Sequence, residues 1–167
     1  MPRALMILLG VTAALFLALN YLNFVQFPPL ASGQTLLDLE TFGYPVQKAL
    51  DWAVGLTPEG RALYLGPVTY LDAVFMICLA LSLGGLATYM TPTWTIARLG
   101  VCVFAAIYLY ADVQEGYLIR QLVLSEGGQG AGAYAAIASL STRIKFAALA
   151  VAVLWLAGLW WTQRKTT

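Results

Sequence analysis

Apolar residues run along this chain for lengths that neither a strand nor the buried face of a soluble helix needs. Four stretches, at about 4–22, 67–89, 94–122 and 134–161, are built mainly from Leu, Ala, Val, Ile and aromatic residues and carry few charges. A bilayer core about 30 Å thick takes roughly 20 such residues in a helix. A chain crossing lipid must satisfy its own backbone hydrogen bonds, which a helix does within one segment. The pattern therefore predicts an all-α, four-helix transmembrane bundle forming a single integral membrane domain over 1–167. Met1, Pro2 and Arg3 ahead of the first apolar run also resemble a secretory signal. That run is longer than the roughly 7–15 residues of a signal core and no A-x-A site follows it, so it is expected to be the first span.

The connections are uneven. Between the first two spans lies a segment at about 23–65, opened by Phe24, Phe27, Pro28 and Pro29, which break the helix at the interface. Within it, 45–54 places Val46, Leu50, Ala53 and Val54 at helical spacing with Lys48 and Asp51 on another side, and Gly55 follows as a stop. That predicts a short amphipathic helix on the membrane surface or over the bundle. Thr57, Pro58 and Glu59 form a helix start, and Gly66-Pro67 predicts a bend where this helix runs into span 2. A short turn is expected at 90–93, and the glycine-rich stretch 125–132 reads as a flexible loop.

Composition narrows the function classes. Apolar residues make up 60% of the chain and charged residues 10%, against about 25% charged in a soluble domain. A net charge of +1 with no basic patch argues against nucleic acid as a partner. The absence of histidine excludes Ser-His-Asp and Cys-His sites and histidine ligation of haem or zinc. Cys78 and Cys102 lack CxxC spacing and sit inside spans, where thiols are packing residues. Gly127-Gly128-Gln129-Gly130 lacks the Lys-Ser/Thr of a phosphate loop. No cofactor is expected. Gly10, Gly84 and Gly85 are expected to let helices approach closely.

The remaining charges carry the candidate chemistry. Arg3, Arg98, Arg164 and Lys165 fall at one end of the spans, which predicts cytoplasmic N- and C-termini in a bacterial plasma (inner) membrane. The acid-containing segment 23–65 would then lie outside. Counting about 1.5 Å per residue brings Asp72, Asp112, Glu115 and Lys145 to one level near the outer boundary. Asp112 and Glu115 are three apart and share a helix face with Tyr108, and Thr142 lies three before Lys145. Arg143 is expected to approach from span 4, and Arg61 with Tyr64 to hang over the group from the start of the second helix.

Charges inside a span are costly and mark either pairing or function. One explanation is mutual neutralisation that fixes helix register. The other is a polar pocket in which Asp112 or Glu115 serves as acid/base while Arg61, Asp72, Thr142 and Lys145 bind a ligand, Arg61 and Lys145 fixing an anionic group. A hard cation would suit the carboxylates, but Lys145 competes for them, so no metal site is expected. Two function classes remain open. One is an accessory, assembly or lipid-interacting subunit; the other is an enzyme or carrier for a lipid or amphiphile at the outer leaflet. Membrane lipids are the expected partners. The Ala-rich face of span 4 (Ala147, Ala148, Ala150, Ala152) would serve a homodimer or a hetero-oligomeric membrane complex.

Several of these residues fall in short motifs. Leu37-Asp38-Leu39 precedes Gly43-Tyr44, Gly60-Arg61 precedes Tyr64, Asp72 stands early in span 2, and Asp112-x-x-Glu115 and Thr142-x-x-Lys145 stand in spans 3 and 4. In this the chain resembles an uncharacterised family of small four-span bacterial membrane proteins over about 36–159. The resemblance implies the four-span fold and the same site residues, and brings no activity with it.

Overall fold

The structure, a computed structural model, describes residues 1–91 and 95–164, with side chains through Thr162. Pro92, Thr93 and Trp94, where the second turn and the start of span 3 are expected, lie outside the described residues, as does Lys165. Every regular element described is helical. α1 (Arg3–Tyr21) widens into a π-type turn over Leu22–Gln26 before Pro28 and Pro29 end it. α2 (Val46–Gly55) is separate, while α3 (Pro58–Leu63) runs through a second π-type turn, Tyr64–Val68, into α4 (Thr69–Met90). α5 spans Ile96–Ser125 and α6 spans Ala131–Arg164. Four helical stretches, Arg3–Gln26, Pro58–Met90, Ile96–Ser125 and Ala131–Thr162, are long and apolar enough to cross a membrane.

Local chemistry sets these boundaries. The Thr57 hydroxyl accepts from the Gly60 amide at 3.1 Å with Pro58 in the first turn, and the Thr95 hydroxyl accepts from the Arg98 amide at 3.3 Å. Pro67 has no amide hydrogen to continue the α3 ladder, so the helix widens there instead of breaking. The Tyr64 carbonyl accepts from both the amide and the hydroxyl of Thr69, the latter at 2.6 Å. At the same end of the bundle, α5 stops at Glu126 and Gly127, both in the left-handed region.

α5 and α6 form the most extensive pair, α4 packs on α5, and α1 packs on α4. The α1–α4 seam holds a buried hydrogen bond between the Thr12 and Ser82 hydroxyls at 3.0 Å. Leu5 also lies so close to Gly85 that a Cβ there would stand 2.8 Å from its side chain. Gly10 and Gly84 face open space, so only Gly85 of the three glycines serves close approach. Along α6 the alanines split: Ala148 and Ala152 are buried against neighbouring helices of the same chain, while Ala147 and Ala150 point outward. They cannot form one external face, because residues four apart share a side that their neighbours do not. Ile7, Leu17, Ile77 and Leu154 are exposed on the outer faces of the bundle, as lipid contact requires.

The segment between α1 and α4 folds into a cap on one end of the bundle. Phe27, Trp52 and Tyr64 pack ring against ring with centroids 5.5–6.4 Å apart, and the Trp52 indole donates to the Thr35 carbonyl at 3.0 Å. Leu36 and Leu37 join them over Ile119, Leu122 and Ala135 of α5 and α6. α2 lies over the bundle, and it buries Ala49, Trp52 and Ala53 while Val46 and Val54 are exposed. Its inner face is thus rotated from the one the aliphatic spacing predicts. Trp52 has the largest apolar area in this helix, and its indole orients the buried side.

The cap is pinned to α6 at Tyr44. Its amide donates to the Ser139 hydroxyl, and that hydroxyl donates to the Tyr44 carbonyl, each at 2.8 Å. Such an approach requires Gly43, which has φ +74° and whose hypothetical Cβ would lie 2.6 Å from Arg143 Nε and 2.9 Å from the Ser139 carbonyl. Gly43→Ala is expected to lower stability by about 1–3 kcal/mol through strain and displacement of the cap, read as a lower melting temperature in detergent. An unchanged melt would show that the cap does not depend on this contact.

Candidate functional site

Below the cap, α5 and α6 meet through a closed ionic group. Asp112 and Glu115 lie one turn apart on α5, and Thr142 and Lys145 lie one turn apart on the facing side of α6. The Lys145 ammonium sits 2.9 Å from Asp112 Oδ1, pairs with Glu115 Oε2, and donates to the backbone carbonyl of Asp38 at 3.2 Å. Glu115 Oε1 accepts from the Thr142 hydroxyl. Glu115 and Thr142 are fully buried, and Asp112 and Lys145 nearly so. Lys145 donates hydrogen bonds to Asp112 and the Asp38 carbonyl, and its contact with Glu115 Oε2 is an ion pair. The sequence-predicted residues Asp112, Glu115, Thr142 and Lys145 are therefore brought together.

The predicted arginines are not part of this group. Arg61 bonds Glu126 at 2.6 Å and the carbonyls of Val123 and Ala53 at 3.4 and 3.3 Å, tying α3 to α2 and to the end of α5. Arg143 is exposed and lies beside Gly43 and Ser139 on the outer side of α6. Lys145 is thus the single cation among the described residues lining the site.

Asp72 stands apart from the ionic group. It is half-buried on α4, with no hydrogen bond or ion pair among the described residues, and it lines a cavity of about 480 Å³. The cavity runs between α1, α4 and α6, where α1 and α6 make little contact. Phe16, Phe75, Leu79, Leu83, Leu149 and Val153 form its apolar length, and Asp38, Asp72, Asp112, Tyr108, Lys145 and Asn23 gather at its other end. Glu115 does not line it. A second cavity of about 220 Å³ opens between α4 and α5 beside Tyr64 and Tyr117, and Asp38 and Asp72 line this one too.

Asp38 and Asn23 are functional candidates that sequence reasoning did not place in the site. Asp38 comes from the cap, and its Oδ1 is buried with no hydrogen-bond partner. Asn23 is 1% exposed; its Oδ1 accepts from the Leu36 amide at 2.8 Å, and its Nδ2 has no partner. The available signal for Asp38 was an acid set between Leu36, Leu37 and Leu39, a hydrophobic setting that a solvated loop acid does not need. Burial pushes the Asp38 carboxyl above its ordinary value of 3.8, with Lys145 opposing and Asp112 adding to the rise. Burial, and next the Glu115 carboxylate, also push the Tyr44 phenol up.

Two outcomes test this geometry. Lys145→Met leaves Asp112 and Glu115 buried without a counterion and is expected to cost roughly 3–5 kcal/mol, seen as loss of folded protein in detergent. Replacing Asp112, Glu115 and Lys145 together with apolar residues should recover much of the loss. A single mutant melting like wild type would remove the structural role. For Asp38, a raised folded-state value means that its contribution to stability is full below 3.8 and is lost as pH rises through the raised value. Asp38→Asn should abolish that part of the decline, so melting curves of the two proteins should diverge as pH rises; parallel profiles would contradict it.

Against family models, curated proteins and solved structures, the chain has no match. The Asp112-x-x-Glu115 and Thr142-x-x-Lys145 motifs of two facing helices are in place, within a polytopic all-helical membrane protein that carries an internal carboxylate–lysine network.

Proposed function

We propose that this protein binds a membrane amphiphile, with its tail along the 480 Å³ cavity and its polar head against the carboxylates at the end of it, and acts on it or carries it. The supporting observation is the division of labour among the acids. A purely structural network would leave each carboxylate paired and no space beside it. Glu115 fits that description, held between Lys145 and Thr142 and away from the cavity, whereas Asp112 is paired with Lys145 but also lines the cavity. Asp38 and Asp72 do not, because both face open cavity and neither side chain has a partner among the described residues. An acid in apolar surroundings is costly unless a group arrives to satisfy it.

In this reading the lining polar groups Asp38, Asp72 and Asp112 meet the head, and Glu115 with Thr142 holds Lys145 and Asp112 in position. If the bound head reacts, Asp72 is the carboxylate free to exchange a proton with it. The gap between α1 and α6 gives a tail lateral entry from lipid. The lysine and arginine distribution supports cytoplasmic termini and a cap outside a bacterial plasma membrane, which sets the polar end of the cavity toward the outer leaflet.

Native mass spectrometry of gently extracted protein tests the reading. Wild type is expected to retain an amphiphile, and Ala13→Trp and Leu149→Trp, which fill the cavity from α1 and α6, should lose it while melting cooperatively. Equal occupancy in wild type and both variants, or no bound amphiphile in wild type, would overturn the reading.

A further inference from the structure

Resting on the amphiphile reading, we infer that the occupant is a cationic amphiphile: a single apolar tail ending in a primary ammonium held between Asp38 and Asp72. Charge complementarity carries this. Three carboxylates, Asp38, Asp72 and Asp112, line the cavity beside one ammonium, which pairs with Asp112 and Glu115 and donates to the Asp38 carbonyl. The charge of Lys145 is already outweighed by the two carboxylates it pairs with, which leaves little attraction for a phosphate or carboxylate head. Arg61 and Arg143 are turned to other partners or surfaces. Among the described residues, an anionic head would meet surplus negative charge and no uncommitted cation, whereas an ammonium would find two carboxylates without an ion pair.

A second observation marks the cavity as a ligand site. Asn23 is 1% exposed, lines the same cavity, and keeps an unpartnered Nδ2. A buried amide hydrogen left free calls for an acceptor oxygen, which a hydroxyl or carbonyl beside the amine would supply. The ring of Tyr108 at the head of the cavity adds a face on which an ammonium is attracted. A bare metal ion fits less well. Hard cations take about six or more oxygen ligands, whereas most of this lining is aliphatic or aromatic and is matched only by a tail.

The test uses the full chain in phosphatidylcholine nanodiscs, with empty discs as the partition control. Radiolabelled n-dodecylamine, n-dodecyl phosphate and n-dodecanol are each measured for retention. The amine should be retained above empty discs, and Asp72→Asn should weaken its binding at least about tenfold, as expected for loss of a charge-assisted hydrogen bond. Dodecyl phosphate should neither bind nor displace the amine. Asp38→Asn is the second variant should Asp72→Asn not fold, and a similar loss is expected there. Phosphate or alcohol retained as tightly as the amine, or amine binding unchanged in a folded Asp→Asn variant, overturns the charge assignment and leaves the amphiphile reading standing. Retention of none of the three probes overturns both.

Discussion

The structure turns on one ammonium. Lys145 joins Asp112 and Glu115 of α5 to α6 and reaches the Asp38 carbonyl of the cap, so three parts of the chain converge on one charge. In hydrocarbon such a group is held by necessity. The apolar surroundings give the helices little preference for one rotation over another, because lipid contacts leucine as readily as a neighbouring helix does. A buried charge removes that freedom, since any other rotation leaves ions unpaired at a cost of several kcal/mol. The α5–α6 register, the seat of the cap and the height of Asp112 at the cavity all follow from this pairing.

Lys145 ties its ionic group together, while two acids beside it stand outside that pairing. Asp38 and Asp72 line both cavities, and neither side chain has a partner among the described residues. Their separation from Asp112 and Glu115 is a matter of which element each sits on. α5 and α6 press together with small residues between them, including Ala105, Ala148 and Ala152, leaving no room for a ligand. α4 and α1 meet the other helices less closely, and space remains beside their polar groups. α1 is the least buried of the spanning helices. Its hold on α4 comes from Thr12–Ser82 and the Leu5–Gly85 contact in the part of the helix away from the cap.

The cap adds a second constraint. Its ring cluster and the reciprocal Tyr44–Ser139 hydrogen bonds fix the chain path that carries Asp38 over the cavity. A flexible connection could not hold a carboxyl beneath a protein roof, since the acid would turn to water. Ordering it there requires the aromatic burial that Phe27, Trp52 and Tyr64 supply.

How much was legible follows from the range of each interaction. Span length, helix caps and the one-turn pairs Asp112/Glu115 and Thr142/Lys145 are local properties, readable from a few neighbouring residues because helical geometry is the same in any fold. The meeting of those pairs also followed from the sequence, since buried ions need partners and few were on offer. The rest needed contacts between distant positions. Arg61 turns to Glu126, 65 residues away, because α3 lies beside the end of α5. Asp38 reaches the site through a contact spanning 107 residues. The inner face of α2 is chosen by Phe27 and Tyr64, which lie outside that helix. The cavity exists because α1 packs on α4 and not on α6, a choice that similar apolar faces leave open until tertiary packing makes it.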